Sequence, residues 1–354
     1  MEQEIVFHPH VHTVYSDGHG THAEVIRAAL RAGVDVLQFT DHNVWVQGVE
    51  GYYQDGERRV LVLVGEELHD RSPQARGNHL LVFGAQQELA PWAHDPQALI
   101  RAAREAGGLA FIAHPIDPAV PFLGEGDLSW HAWDVEGFHG LEIWNAMSEF
   151  KARLKTWLHV VYYVFNFPRV ARGPFPQALQ LWDRLTIQGK RVVAIAGSDA
   201  HQLPAGWGPL RVRIFPYEQH FRAINTHLVL TEGLEGDVDA DRQRVYQALA
   251  AGHAFVANDL LAPSRGFRFQ AHGRFGQAIM GDAISLSGGV TLKVRLPRRA
   301  RIRLVRNGEV VHTWDRAEVF SYPVRKPGVY RVEVDLYAWG AWRGWIYSNP
   351  IYIA

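Results

Sequence analysis

The sequence predicts an α/β fold in two parts: a β/α barrel over residues 1–260 and a small antiparallel β-sandwich over residues 265–354. Three observations predict it. Short apolar runs alternate with helical stretches as far as about residue 258, the pattern of a parallel sheet with helical crossovers. Beyond Ala262-Pro263-Ser264 strand-like alternation continues with no convincing helix between the runs, as in a sandwich. Nearly every run of the first part also ends in a histidine or carboxylate, the place where barrel active sites lie. An open doubly wound sheet is the alternative for the first part.

Residues 5–7 read as a strand and residues 21–32 as a helix. Thr21 and Glu24 make its capping box, Val25, Ile26, Ala29 and Leu30 form its apolar stripe, and Gly33 ends it. Residues 34–40 read as the next strand. The continuous apolar runs at 60–64 and 79–83 are typical of strands buried on both faces. A helix over 96–106 closes at Gly107-Gly108, and 109–113 returns to strand. Runs at 141–144, 192–196 and 211–215 complete the strands, with helices around 147–165, 176–187 and 241–251. In the second part, 267–271, 290–296, 301–305, 310–314, 329–336 and 344–347 are strand-like, and Asn307-Gly308 marks a hairpin turn.

Composition narrows the function. The 354 residues suit one large barrel or two domains, and 47% apolar with 21% charged residues is a globular balance. Thirty-six Lys+Arg against 37 Asp+Glu leave a net charge of −1, which argues against a general nucleic-acid or membrane-surface binder. With no cysteine, disulfide scaffolds, zinc fingers, iron–sulfur clusters and thiol nucleophiles are excluded. The first ten residues carry two acids and no long apolar stretch, so no secretory signal is expected. The most apolar window, 157–167, is broken by His159 and Asn166 and falls short of the ~20 residues of a membrane span. A cytoplasmic protein without membrane or nucleic-acid partner is expected; oligomeric state is open. The 19 histidines are roughly double average usage, and their placement carries the rest.

The first strand runs into His10-Val11-His12, with Asp17 close behind; the second ends in Asp41-His42. Then come Glu66-Glu67, Asn78-His79, His114, and Asp199-Ala200-His201. Alternate residues of an extended segment point the same way, so His10 with His12, and Asp199 with His201, can converge. Imidazoles and carboxylates without thiolate suit Zn, Mn or Fe(II). His8, His19, His22 and His69 lie close to these segments, as supporting or substrate-side residues. The remaining histidines read as surface or satisfied core residues.

HPHVHTVYSDG (8–18), TDHN (40–43), GEELHD (65–70), GNHLLVFGA (77–85), IAHP (112–115) and AGSDAH (196–201) resemble the ordered motifs of the polymerase and histidinol phosphatase (PHP) superfamily. LEIWNA (141–146) and the terminal SNPIY (348–352) resemble its carbaryl-hydrolase-like branch. The resemblance implies a distorted seven-stranded β/α barrel holding up to three divalent ions. It implies that His10, His12, Glu67 and Asp199 hold one ion, and that Glu67 bridges to a second held by His79 and His114. Asp17, His42 and His201 would hold the third. Glu67 is chosen over Glu66 because the family pattern is Gly-x-Glu, which turns Glu66 away. His8 stands where the family often has Asp.

On that resemblance Glu67 and Asp199 are catalytic as well as ligands. Three divalent ions outweigh the three carboxylates Asp17, Glu67 and Asp199, so a small anionic substrate is expected, and phosphate esters fit best. The expected activity is a metal-dependent phosphoesterase using a metal-activated hydroxide at a trinuclear site. A carboxyl-ester or carbamate hydrolase on the same site is the alternative. Arg71 and Arg76 are placed to reach substrate phosphate, and Asn145, beside Trp144, to line the pocket. Arg298, Arg299, Arg301 and Arg303 would carry a nuclease reading but are read as a solvated strand face. No catalytic set is expected beyond residue 266, where Trp339, Trp342 and Trp345 are expected to pack.

Overall fold

The computed structural model describes residues 2–72, 75, 77–207 and 210–354. The first part runs β1 (Gln3–His8), α1 (His22–Ala32), β2 (Val36–Phe39), β3 (Gly51–Asp55), β4 (Arg58–Leu68), β5 (Leu80–Phe83), α2 (Pro96–Glu105), β6 (Leu109–Ile112), β7 (Gly140–Asn145), α3 (Ala146–Arg153), α4 (Trp157–Phe165), α5 (Pro176–Ile187) and β8 (Val193–Gly197). β9 (Leu203–Trp207), β10 (Leu210–Ile214), α6 (Tyr217–Phe221), β11 (Ile224–Leu230), α7 (Val238–Ala251) and β12 (Ala254–Asn258) follow. The second part is β13 (Arg268–Gly273), β14 (Gly276–Ile279), β15 (Ala283–Ile284), β16 (Val290–Arg306), β17 (Glu309–Val324), β18 (Gly328–Ala338), β19 (Ala341–Ser348) and β20 (Ile351–Ile353).

Local signals set the helix ends as the residues require. Thr21 and Glu24 form both halves of the capping box on α1, and Gly33 closes it at φ 80°, a conformation open to a residue without Cβ. Asp95 caps α2 through the amides of Gln97 and Ala98. The single helix expected over 147–165 is instead two, α3 and α4, because the chain turns extended at Leu154. Among the described residues no helix is long and apolar enough to cross a membrane.

The sheet is mixed rather than all parallel. β1, β2 and β4 pair in parallel, as do β6, β7 and β8. Between them β5 is antiparallel to both β4 and β6. Among the described residues no helix separates β4 from β5, and a chain that turns back without a crossover must pair antiparallel. No ladder joins β8 to β1 among the described residues, so a closed barrel is not formed by continuous pairing. A parallel bridge between Val11 and Ala200 links the two segments just past their ends. Thr226 of β11 adds a side-chain tie, accepting from the Ala196 amide and donating to the Ala196 carbonyl.

The run 211–215, expected in the main sheet, instead falls, through residue 214, in a separate hairpin of β9 and β10. Its place beside β1 is taken by β11, antiparallel to β1 and to β12. The hydrophobic cluster beneath the strand ends includes Phe7, Phe111 and Ile195, all fully buried. They precede His10, His114 and Asp199 by three or four residues, so packing the cluster sets the height of those side chains.

In the second part the runs 290–296 and 301–305 are one strand, β16, irregular against β17 between Arg295 and Ala300. Asn307 and Gly308 both have positive φ, 50° and 79°, the two-residue turn expected of Asn-Gly. β19 pairs antiparallel with β12, Phe255 opposite Ser348, so the C-terminal strands continue the hydrogen bonding of the first part. Arg301 and Arg303 are not simply solvated: both reach Asp335, and Arg303 also reaches Glu333. Trp345 is buried as expected. Trp339 and Trp342 are exposed and carry Arg343 and Arg301 over their rings.

His227 of β11 supplies a test of the join. It is buried between Glu4 Oε1 at 3.0 Å and Asp259 Oδ2 at 2.9 Å. Burial alone pushes the imidazole down, but Asp259 and Glu4 outweigh it and hold it up at about 9. A group raised on folding stabilises fully below its unfolded value, near 6.5, and loses that contribution as pH rises through the folded one. Denaturant midpoints should therefore fall between about pH 6.5 and 9, and fall less for His227→Gln. An identical pH slope in both proteins would remove His227 from the account.

Candidate metal centre

Glu67 is the hub. It lies at the end of β4, fully buried, and its two oxygens face different imidazoles. Oε1 is 2.8 Å from His79 Nδ1 and 2.9 Å from His114 Nε2. Oε2 is 2.9 Å from His10 Nε2, 2.9 Å from His12 Nε2 and 3.4 Å from His42 Nδ1. Burial pushes the carboxyl up, but His10, His42 and His79 overcome that and hold it well below the usual carboxylate range. Glu66, one residue earlier, faces the other way, accepting from the Leu89 amide. Burial and then Glu88 push its carboxyl up to about 9.

Asp199 and Asp17 extend the cluster. Asp199 Oδ1 is 3.1 Å from His12 Nε2 and 3.4 Å from both His10 Nε2 and His201 Nδ1. Asp17 is 3.0 Å from His201 Nε2, 3.5 Å from His42 Nε2 and 3.6 Å from His12 Nδ1. Among the described residues the ligand atoms fall into three groups able to hold an ion: His10, His12, Glu67 and Asp199; His12, Asp17, His42 and His201; His42, Glu67 and His79. His12 and His42 thus each belong to two groups, and His114 joins through Glu67 Oε1.

The donor set fits divalent ions. His10 Nε2 and His12 Nε2 stand 3.1 Å apart, and with Glu67 and Asp199 their ligand atoms all lie within 4.8 Å of one another. Asp199 Oδ1 is buried and has no hydrogen-bond partner. Separations of 2.9 to 3.4 Å among these atoms match donors each about 2.1 Å from a shared ion. Burial pushes His79 down to about 3, leaving a neutral imidazole suited to coordination.

Backbone strain and close packing hold the cluster. His114 and Asp199 have φ of 24° and 54°, rare for residues with a Cβ and common at functional sites. A Cβ at Gly18 would lie 2.3 Å from the His12 carbonyl oxygen, so only glycine lets the 12–18 loop fold back.

Several supporting residues escape a reading of strand ends. Glu142 of β7 lies behind the site: Oε1 is 3.0 Å from His10 Nδ1, and Oε2 accepts from the His114 amide and from Asn145 Nδ2. This contact makes Nδ1 of His10 the protonated nitrogen and turns the Nε2 lone pair to the cluster. The signal was present as the inward Glu of LEIWNA. Asp41, next to His42, accepts from the Thr13 amide, the Thr13 hydroxyl and the Ser16 hydroxyl. His69 stacks on His79 at 4.4 Å, and His8 meets Asn225 rather than the cluster.

Of the substrate residues read from sequence, neither Arg71 nor Asn145 lines the cavity over the cluster. Arg71 donates to the His42 carbonyl and does not line the cavity. Arg76 lies outside the described residues. Asn145 caps α3 through the Ser148 amide and braces Glu142. Trp144 is buried, its indole donating to Glu149. The cavity over the cluster, about 340 Å³, is lined by Asp17, His42, Glu67, His79, His114, Asp199 and His201 together with Asp117, Glu125, Leu128, Met147, Lys151 and Leu203. Among the described residues none beyond 203 enters this lining. A larger cleft of about 630 Å³, lined by Glu24, Arg27, Arg31, Tyr217 and Arg222 among others, contains none of the clustered ligands and has no chemistry comparable to theirs.

Residues 8–111 match the family model of the PHP domain, a stretch that holds His10, His12, Asp17, His42, Glu67 and His79. The chain is 28% identical over 148 residues to the uncharacterized protein MJ1587 of Methanocaldococcus jannaschii, covering 39% of this chain and 80% of that protein. It is also similar, at 16% identity and a TM-score of 0.46, to a two-domain protein of Bacteroides vulgatus described as containing a predicted PHP-like metal-dependent phosphoesterase. That alignment covers 99% of this chain and 95% of the other. The PHP-domain match covers residues 8–111 and carries six of the clustered ligands.

Proposed function

We propose that the protein is a metal-dependent phosphoesterase with a trinuclear site, built by residues 1–260, with residues 265–354 as a β-rich appendage. The match to the PHP domain supports a hydrolytic enzyme. One observation carries the multinuclear reading: the two oxygens of Glu67 are divided between separate sets of imidazoles, as a bridging carboxylate requires. His10, His12 and Asp199 would share one ion with Glu67; His79 and His114 would hold a second; Asp17, His42 and His201 a third. Zn, Mn and Fe(II) all suit this donor set. LEIWNA and SNPIY favour the carbaryl-hydrolase-like branch. Asn349 of SNPIY bonds to the backbone of Ala194 and Ala254, tying β8 to β12.

Bound divalent ions supply Lewis acidity and an activated water at neutral pH. The chain's part is positional. Glu67 and Asp199 hold the negative charge that fixes the ions, and Glu142 orients His10. In the hydrolysis a water oxygen bonds to phosphorus, the bond from phosphorus to the leaving oxygen breaks, and a water proton ends on the leaving alcohol.

Elemental analysis of metal-replete protein, with activity on a phosphomonoester, a phosphodiester and a carboxyl ester, tests this reading. More than one ion per chain and phosphoester turnover are expected. At most one ion would remove the trinuclear site, and turnover confined to the carboxyl ester would replace the phosphoesterase.

A further inference from the structure

The cavity holds one more polar set, which the hydrolysis above does not use. Lys151 of α3 donates to Asp117 Oδ2 at 2.9 Å and stands 3.5 Å from Glu125 Oε2. Lys151 and Asp117 are 8% and 3% exposed, whereas a lysine is almost never this buried without a built partner. The Asp117 backbone is pinned on both sides, its amide donating to Ser129 Oγ and its carbonyl accepting from the Leu128 amide.

Two features point to a ligand. Asp117 Oδ1 is buried and has no hydrogen-bond partner, a desolvated acceptor that a donor from a bound molecule would satisfy. The Lys151 ammonium carries three protons, of which the two carboxylates can take two. A free acceptor and a free donor therefore stand together, in the same cavity as Glu67, His114 and Asp199. Among the described residues lining that cavity, Lys151 is the one cation apart from the imidazoles. It faces two carboxylates, which leaves no surplus positive charge there for a second anionic group.

We propose that the Asp117–Lys151 pair recognises the leaving-group end of the substrate, and that this end is a neutral or cationic group rich in hydroxyl or amine donors: a polyol, a sugar or an amino alcohol. A second phosphate or a carboxylate at that position is rejected. The proposal rests on the phosphoesterase reading and adds the class of alcohol released. Lys151 and Asp117 are positioning residues here, since the reacting phosphorus is handled by the metal-ligand cluster. A site built to bond a substrate hydroxyl discriminates strongly against an analogue lacking it, because its buried polar groups are left unpaired.

The test uses metal-replete full-length protein and three probes: glycerol 3-phosphate, 3-phosphoglycerate and p-nitrophenyl phosphate. The first two differ chiefly in exchanging a hydroxymethyl for a carboxylate; the third has no donor on its leaving group. Wild type is expected to favour glycerol 3-phosphate over 3-phosphoglycerate by at least about tenfold in kcat/KM. Asp117→Asn and, separately, Lys151→Met should lower the ratio of kcat/KM for glycerol 3-phosphate over p-nitrophenyl phosphate by about tenfold or more, chiefly through KM. If wild type hydrolyses p-nitrophenyl phosphate but treats the other two probes alike, the proposal is overturned while the phosphoesterase stands. An unchanged ratio in both variants overturns it equally, reducing the pair to a structural ion pair. If wild type hydrolyses no phosphomonoester, both the proposal and the reading beneath it fall. The wild-type comparison decides the matter even where a variant does not fold.

Discussion

Glu67→Gln should lose bound metal and lower turnover by several orders of magnitude. The side chain is fully buried and is the one carboxylate in contact with His10, His12, His42, His79 and His114 together. Glutamine keeps the shape but removes the charge, and an amide oxygen is a far weaker ligand for a transition metal. Its NH2 would also face imidazole nitrogens where an acceptor stood before. Loss of nucleophile activation and of charge stabilisation together set the size of the effect.

Glu66→Gln is the internal control. Glu66 is buried on the opposite face of β4, accepts from the Leu89 amide, and is pushed up to about 9 by burial and by Glu88. It therefore keeps its proton at neutral pH, and a neutral amide replaces a neutral acid. Metal content and activity measured side by side should separate the two variants. If Glu66→Gln is the metal-poor one, the strand register at the site is off by one residue. If neither loses metal or activity, the metallohydrolase mechanism fails.

Glu142→Gln comes second in expected effect, through residues it touches rather than through the reaction. Its Oε1 sets the tautomer of His10 and its Oε2 takes both the His114 amide and Asn145 Nδ2. An amide can satisfy one of these sides but presents N–H to the other, where a donor already points. Outer partners of metal ligands typically carry about 10–100-fold in metal affinity or activity. The expected result is a shift of that size in the metal concentration giving half-maximal activity, with kcat recovered at saturating metal. A fall in kcat that saturating metal does not restore would mean Glu142 acts on substrate instead.

How much of this was legible beforehand follows from what is local. The capping box of α1, the Asn-Gly turn and the buried run of β4 depend on neighbours within a few residues, and they stand in the structure where the sequence places them. The order of imidazoles and carboxylates at strand ends is equally local; alternation sets Glu66 and Glu67 on opposite faces, and the Gly-x-Glu pattern of the family it resembles chooses Glu67. A helix expected over 147–165 breaks at Leu154, and Arg71, expected at substrate, bonds to the His42 carbonyl instead. Both outcomes depend on surroundings that periodicity does not contain.

By itself the sequence carried the α/β character and the β-rich C-terminal block, and the resemblance of its motifs pointed to the imidazoles and carboxylates at the strand ends. Only the tertiary structure decided the antiparallel turn of β5, the replacement of residues 211–215 by β11 beside β1, and the pairing of β19 with β12. It alone decided, too, that Glu142 stands behind His10 across 132 residues of chain, and that Lys151 meets Asp117 across 34. The reason is physical. A strand end or a helix cap is specified by covalent neighbours, whereas a buried carboxylate's partner is chosen by which distant groups the packed core leaves within 3 Å of it.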